Sequence, residues 1–242
     1  MDNYNRNYQS PSYGVESTST NVSTVFAVLM RKVYVWMTLA LALSGLTAYY
    51  VANDYNLLLA IFSNQAVFWV LVIAEFGLVI GLSAAINRLS FPVAAIMFAA
   101  YSIINGVLLS SIFVVYTETS IATTFFVTAG TFATMAVIGS VTKMDLTKMG
   151  SILLMALIGI IIATLVNLFL HNETMNIIIS ALGVLIFTGL TAYDAQKIKA
   201  MMLQADQLND TTQKIAVLGA LSLYLDFINL FLYLLRFLGN RK

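Results

Sequence analysis

The sequence has no cysteine. Disulfides, thiolate metal sites and cysteine nucleophiles are therefore excluded. Its one histidine is His171, so paired-histidine metal motifs are excluded too. Charge is scarce: Asp, Glu, Lys and Arg make up 10% of the residues, against about 25% in an ordinary soluble domain. The formal net charge is +1, and no basic cluster points to nucleic acid. Residues 1–24 contain no apolar run of the signal-peptide kind. They are rich in Asn, Ser, Thr and Tyr, a composition expected to give a disordered polar tail.

What remains is apolar. Hydrophobic residues make up 60% of the chain. They fall in runs of about 18 residues or more with at most one charge, the length a helix needs to cross a bilayer. The expected fold is an all-α membrane protein, a seven-helix transmembrane domain over residues 25–242. The spans are expected near Val33–Ala52, Ala66–Ile86, Val93–Tyr116, Ile121–Val141, Ile152–Leu170, Met175–Asp194 and Ile215–Phe237. Pro92 opens the third, and the sixth continues as helix beyond the membrane. Gly77 and Gly81, and Gly159 and Ala163, form small-xxx-small pairs expected to pack helices.

Basic residues give the orientation. Arg6, Arg31, Lys32, Arg88, Lys143, Lys148, Lys197, Lys199 and Lys214 fall on one side of seven crossings. Arg236, Arg241 and Lys242 fall on the other. The N-terminus is thus expected in the cytoplasm. A re-entrant seventh segment would bring all the basic residues to one side. Seven crossings are preferred, because the last run is long enough to span.

Three acids lie inside spans: Glu75, Asp194 and Asp226. Asp210 and Gln213 fit a helix N-cap and its capping-box partner. Asp194 lies sixteen residues before Asp210 and Asp226 sixteen after, or roughly 24 Å of helix each. In an antiparallel hairpin centred there, the two carboxylates meet. On the seventh helix, Ser222, Asp226, Asn229 and Tyr233 share one face by spacing. Helix–helix hydrogen bonding would account for Ser, Asn and Tyr alone. A charge near mid-membrane is different, at about 2.5 to 3.5 kcal/mol on insertion scales. Two carboxylates in contact cannot both ionise cheaply and can share a proton. They also offer oxygens to a hard cation such as Ca²⁺, but too few for a tight site, which wants six to eight. A weak, transient site for a permeating ion suits Asp194 and Asp226 better. Glu75 is a further candidate for the ion path. Arg88 and Arg236 are candidate counter-charges, although Arg236 lies ten residues beyond Asp226 and suits an interfacial anchor. Asn105 and Asn167 read as packing hydrogen bonds, and Glu118 and Glu173 as solvated span ends.

Four stretches carry a family resemblance: AEFGLVIGLSA from Ala74, INGVLLSSIF from Ile104, FTGLTAYDAQKIK from Phe187 and GALSLYLDFINLFLYLLRFLG from Gly219. With them the sequence resembles the transmembrane Bax inhibitor motif family, Bax inhibitor-1 and its bacterial relatives, over nearly all of the chain after residue 25. The resemblance implies a seven-helix bundle with the last helix near its centre, in a bacterial inner membrane. It implies a pH-sensitive calcium leak governed by an aspartate pair, here Asp194 and Asp226. It also implies an arginine latch near the end of the second span. The expected place reads SAAINR, which makes Arg88 a displaced candidate.

Two functions follow as expectations. One is a cation leak, with protons and Ca²⁺ as its ligands and no resident cofactor. The other is a non-channel regulator of another membrane protein, such as a membrane-anchored protease, as some bacterial relatives look to be. An enzyme is not expected: paired aspartates also serve intramembrane proteolysis, but the motif around that dyad is absent.

Overall fold

The computed structural model describes residues 15–205 and 207–242, with side chains from residue 24 onward. Among the described residues the chain is helical throughout, without strands. In order, the helices are α1 (Val15–Ala52), α2 (Tyr55–Phe62), α3 (Gln65–Ala85), α4 (Phe91–Leu109), α5 (Ser111–Val115), α6 (Glu118–Val141), α7 (Thr147–Leu170), α8 (Glu173–Leu203) and α9 (Asp210–Leu238). Seven spans are long and apolar enough to cross a membrane, with α4 and α5 counted together as Phe91–Val115. The expected all-α bundle of seven is thus found.

The polar residues between spans act mainly as helix starts. Asp54 caps α2 by accepting from the amides of Asn56 (2.9 Å) and Leu57 (3.1 Å). Asn64 caps α3, Thr117 caps α6 and Asn172 caps α8 in the same manner. Such caps satisfy amides that a helix start leaves without partners. His171 ends α7 in the left-handed region, at φ 50°. Asn167 sits at that end rather than at mid-span, where its Oδ1 accepts from the Asn172 amide (3.1 Å).

Several boundaries differ from expectation. The first loop contains the short helix α2, whose LLLAIF run is apolar enough to lie against the bundle. Helix α1 starts at Val15, well before the span expected from Val33, so Arg31 and Lys32 lie within the helix. Residues 15–24 are already helical; each residue added to an existing helix gains a backbone hydrogen bond at little further cost. The disordered-tail expectation over residues 1–14 lies outside the described residues. Asp210 is not the cap of α9. Asn209 is, with its Oδ1 accepting from the Thr212 amide (2.9 Å) and Thr212 Oγ1 accepting from the Asn209 amide (3.0 Å). Asp210 and Gln213 instead make tertiary contacts. Asp210 accepts from the Phe91 amide (3.0 Å), and Gln213 accepts from Lys32 Nζ (2.8 Å). Lys214 pairs with Asp210 (3.3 Å) and donates to Leu89 O (2.8 Å). One end of the bundle is tied together this way.

Helix α9 is the axis. Of its most apolar window, 67% is buried inside the protein, against 6% for α3 and for α7. It packs against α8, α1, α6 and α4, while α3 leans on α4 and α7 on α8. The helix is continuous from Asp210 to Leu238, which rules out the re-entrant alternative. The chain then returns to the α5–α6 turn, where Thr117 N donates to Asn240 O (3.2 Å) and Lys242 N to Val115 O (3.0 Å).

Lipid tails are as apolar as leucine, so close packing and hydrogen bonds hold such a bundle together. Of the expected small-residue pairs, Gly81 packs against Met97 of α4 and Ala163 against the core, but their partners do not. A Cβ on Gly77 or Gly159 would meet nothing within 4 Å, because α3 and α7 are peripheral. The close approaches are elsewhere. Gly106 of α4 lies against the Ser44 backbone of α1, and Gly139 of α6 against the Ala192 backbone of α8. Gly150 of α7 faces the ring of Tyr193.

Candidate functional site: the aspartate pair and its surroundings

Asp226 sits on α9 at 5% exposure. Its Oδ2 is buried without a hydrogen-bond partner. Asp194, half-buried on α8, is the charged group that acts on it. The two carboxyl groups interact, but not through the symmetric hairpin that the spacing suggested. Helix α8 ends at Leu203, nine residues after Asp194, whereas α9 starts sixteen residues before Asp226. That is an offset of roughly 10 Å along the helices. The connection over residues 204–209 has the reach to bridge it.

Asp194 is held in place by its neighbours. Ala192 is pressed against Gly139, and Tyr193 against Gly150. One turn on, Gln196 accepts from Leu146 N (2.9 Å) and donates to Met144 O (2.8 Å). Of the two nearby lysines, Lys199 donates to Ser140 O (2.6 Å) and is occupied there. Lys197 lies 5.9 Å from the Tyr193 ring centre and acts electrostatically on Asp194. A recess of about 430 Å³, lined by Lys143, Tyr193, Gln196 and Lys197, opens beside this segment.

The polar stripe of α9 is divided. Asp226 lies within electrostatic reach of Asp194 on α8, and Tyr233 stacks on Phe187 of the same helix at 5.7 Å. Asn229 donates to Leu225 O (2.8 Å) and lines a recess on the other side, together with Glu75. Ser222 is half-buried one turn before Asp226. Neither arginine latches the pair. Arg88 is exposed in the turn between α3 and α4, and Arg236 lies 5.5 Å from the Tyr233 ring centre. The single ion pair among the described residues is Lys214–Asp210. Three residues after the end of its helix, Arg88 is exposed in the turn rather than directed at the aspartate pair.

Among the described residues no three acidic or histidine side chains gather as a metal cage. The aspartate pair stands as two carboxylates without a third acid or histidine beside them. Glu75 is not part of it. Its carboxylate accepts from Asn105 Nδ2, and it lines a recess with Tyr101. Sequence reasoning passed over Tyr224, at 0% exposure. Its hydroxyl donates to Asn105 Oδ1 (2.9 Å) and lies 2.6 Å from Ser44 Oγ. A tyrosine two residues before an intramembrane aspartate was the available signal, since a buried hydroxyl needs a partner.

Residues 27–242 match the family described as Inhibitor of apoptosis-promoting Bax1. An uncharacterised protein of Borreliella burgdorferi is 50% identical over 215 residues, covering 88% of this chain and 92% of the relative. The protein named inner membrane protein YbhL of Escherichia coli strain K12 is 49% identical over 214 residues, with the same coverage. An uncharacterised membrane protein of Streptococcus pyogenes serotype M1 is 37% identical over 212 residues, covering 86% of this chain and 91% of its own length. With the family match spanning every helix of the bundle, the chain belongs to the Bax inhibitor-1 family.

Proposed function

We propose that this protein is a pH-sensitive cation leak, with Ca²⁺ as a permeant ion and the Asp194–Asp226 pair as its gate. By likeness to the E. coli inner membrane protein, its place is a bacterial inner membrane, with the N-terminus in the cytoplasm. One observation carries the reading. Asp226 Oδ2 is buried on the central helix without a hydrogen-bond partner, within electrostatic reach of a second carboxylate, Asp194. A buried polar atom of this kind calls for an explanation, and in a membrane span it calls for a proton or a cation. With one shared proton the pair carries a single negative charge instead of two, which eases its burial in the bundle. Loss of that proton, or arrival of a cation, changes the charge between α8 and the central helix α9, which pack against each other.

The test is calcium flux from liposomes containing purified protein, wild type against Asp226→Asn, across pH values from about 5 to 8. Asn keeps the shape and removes one titrating group. The wild-type leak is expected to vary with pH, and the variant to lose or displace that variation while still folding. Identical pH profiles would overturn the gate and favour the regulatory reading, in which the protein restrains another membrane protein.

A further inference from the structure

A second polar system crosses the bundle from α3 to α1 without involving the aspartate pair. Glu75 is the eleventh of the 21 residues of α3, at mid-span. Asn105 of α4 donates to it through Nδ2 and accepts from Tyr224 of α9 through Oδ1. Tyr224 then meets Ser44 of α1 at 2.6 Å. Ser44 Oγ lies 2.7 Å from Ser102 O and 3.0 Å from Ala40 O. Asn105, Tyr224 and Ser44 are all buried. Glu75 is half-buried and lines a recess of about 510 Å³ together with Tyr101, Asn105, Ser111 and Asn229. That is room for several waters.

The number of protons in this chain gives it two directions. Tyr224 and Ser44 carry one hydroxyl proton each, and Asn105 presents an oxygen on one side and two N–H on the other. With Glu75 ionised, Asn105 donates to it, Tyr224 donates to Asn105, and Ser44 donates to the Tyr224 oxygen. Every donor then points toward α3. With Glu75 protonated, its O–H donates to Asn105 Oδ1 after the amide turns over. The amide N–H then donates to Tyr224, Tyr224 to Ser44, and Ser44 to Ser102 O. The donors from Glu75 to Tyr224 then point toward α1, and Ser44 closes the chain on the Ser102 carbonyl of α4. Both arrangements pair each link of the chain, so one proton on Glu75 selects between them.

The charged surroundings are sparse. From α4 the groups facing Glu75 are Tyr101 and Asn105; from α9 they are Tyr224, which acts on it electrostatically, and the neutral Asn229. Helix α2, the other neighbour of α3, brings one titratable residue, the exposed Tyr55. No lysine or arginine acts on Glu75, since Arg88 is exposed beyond α3 and Arg236 stands over Tyr233.

We propose that Glu75 is a proton-binding site separate from the Asp194–Asp226 pair, loaded through the recess between α3, α4–α5 and α9, and that its proton sets the direction of the Asn105–Tyr224–Ser44 hydrogen-bond chain. The step is one proton added to a carboxylate oxygen. The hydroxyl protons of Tyr224 and Ser44 turn from one neighbour to the other, and no electrons move. The inference does not depend on the leak. It gives the central helix a second proton-dependent input, two residues from Asp226.

Infrared difference spectra between acid and neutral pH, on the full chain in phosphatidylcholine–phosphatidylglycerol liposomes, test it. A carboxylic acid C=O band from a group shielded from bulk water is expected. Glu75→Gln should remove it, Asp226→Asn should keep it, and Tyr224→Phe should shift it by breaking the chain beyond Asn105. A band untouched by Glu75→Gln would overturn the site. A band unmoved by Tyr224→Phe would overturn the relay. Labelling wild-type protein with ¹³C-carboxyl glutamate needs no substitution: failure of the band to move on labelling would equally overturn the assignment to a glutamate. Because Asp226→Asn leaves this band in place, failure of the aspartate gate and failure of this site give different spectra.

Discussion

Gly139 on α6 lies against the backbone of Ala192 on α8, two residues before Asp194, with no space for a side chain between them. The contact fixes the height and rotation of α8 where it presents its aspartate. A methyl group added at Gly139 would strike the Ala192 carbonyl carbon and Cα at 2.7 Å. Neither is a flexible side-chain end, so a helix must move. Overpacking of this kind costs about 1 to 3 kcal/mol.

Gly139→Ala is therefore expected to lower thermal stability in detergent and to alter the proposed calcium leak. Gly77→Ala and Gly159→Ala add a methyl group where nothing lies within 4 Å. They should leave stability within about 0.5 kcal/mol or raise it slightly through helix propensity. Equal melting shifts for all three variants would contradict the tight α6–α8 contact.

Asn209→Ala removes the cap of α9 and is expected to cost about 1 kcal/mol. Chemical denaturation in mixed micelles should place it below both wild type and Asn209→Asp, which retains a side-chain acceptor. Asp210→Ala should loosen a different contact, the tie to the Phe91 amide. Faster hydrogen exchange at the start of α4 is the sign to look for; unchanged exchange there would remove Asp210 from that role.

Asp145 lies in the connection between α6 and α7, outside the spans. The Thr147 hydroxyl and amide donate to its Oδ1 at 2.6 and 2.9 Å and hold its carboxyl below the usual carboxylate range. A depressed folded-state value stabilises the fold above the ordinary unfolded value, near 4. That contribution is lost as pH falls through the folded-state value. Asp145→Asn should thus be less stable than wild type at neutral pH, with the gap closing in acid. A gap that stays constant with pH would show that the carboxylate charge is not what matters.

Seven crossings place the two termini on opposite sides of the membrane. A reporter active only in the cytoplasm should work when fused to the N-terminus and fail at the C-terminus. Activity at both ends would contradict the continuous α9 span.

The seven spans were legible because length and the absence of charge act locally: a run of about twenty apolar residues is a helix that prefers a bilayer, whatever its neighbours. The three acids were legible for the converse reason, as isolated charges in those runs. Which helix is central was not readable from apolarity. Helix α7 is the most apolar of the spans, yet it is among the least buried, whereas α9 is the most buried. In a membrane, lipid and protein interior are equally apolar, so composition does not tell one from the other. The same ambiguity misled the glycine reading. Gly77 and Gly159 look like packing positions but face outward, and Gly139, without a spaced partner in its span, makes the close contact. The spacing about Asp210 paired Asp194 with Asp226, but the true turn is offset, and only the packed α8–α9 pair with its connection sets their heights. The chain from Glu75 through Asn105 and Tyr224 to Ser44 has members on α3, α4, α9 and α1. Residues that far apart in sequence carry no mutual spacing, so tertiary structure alone decides that they form one hydrogen-bonded line.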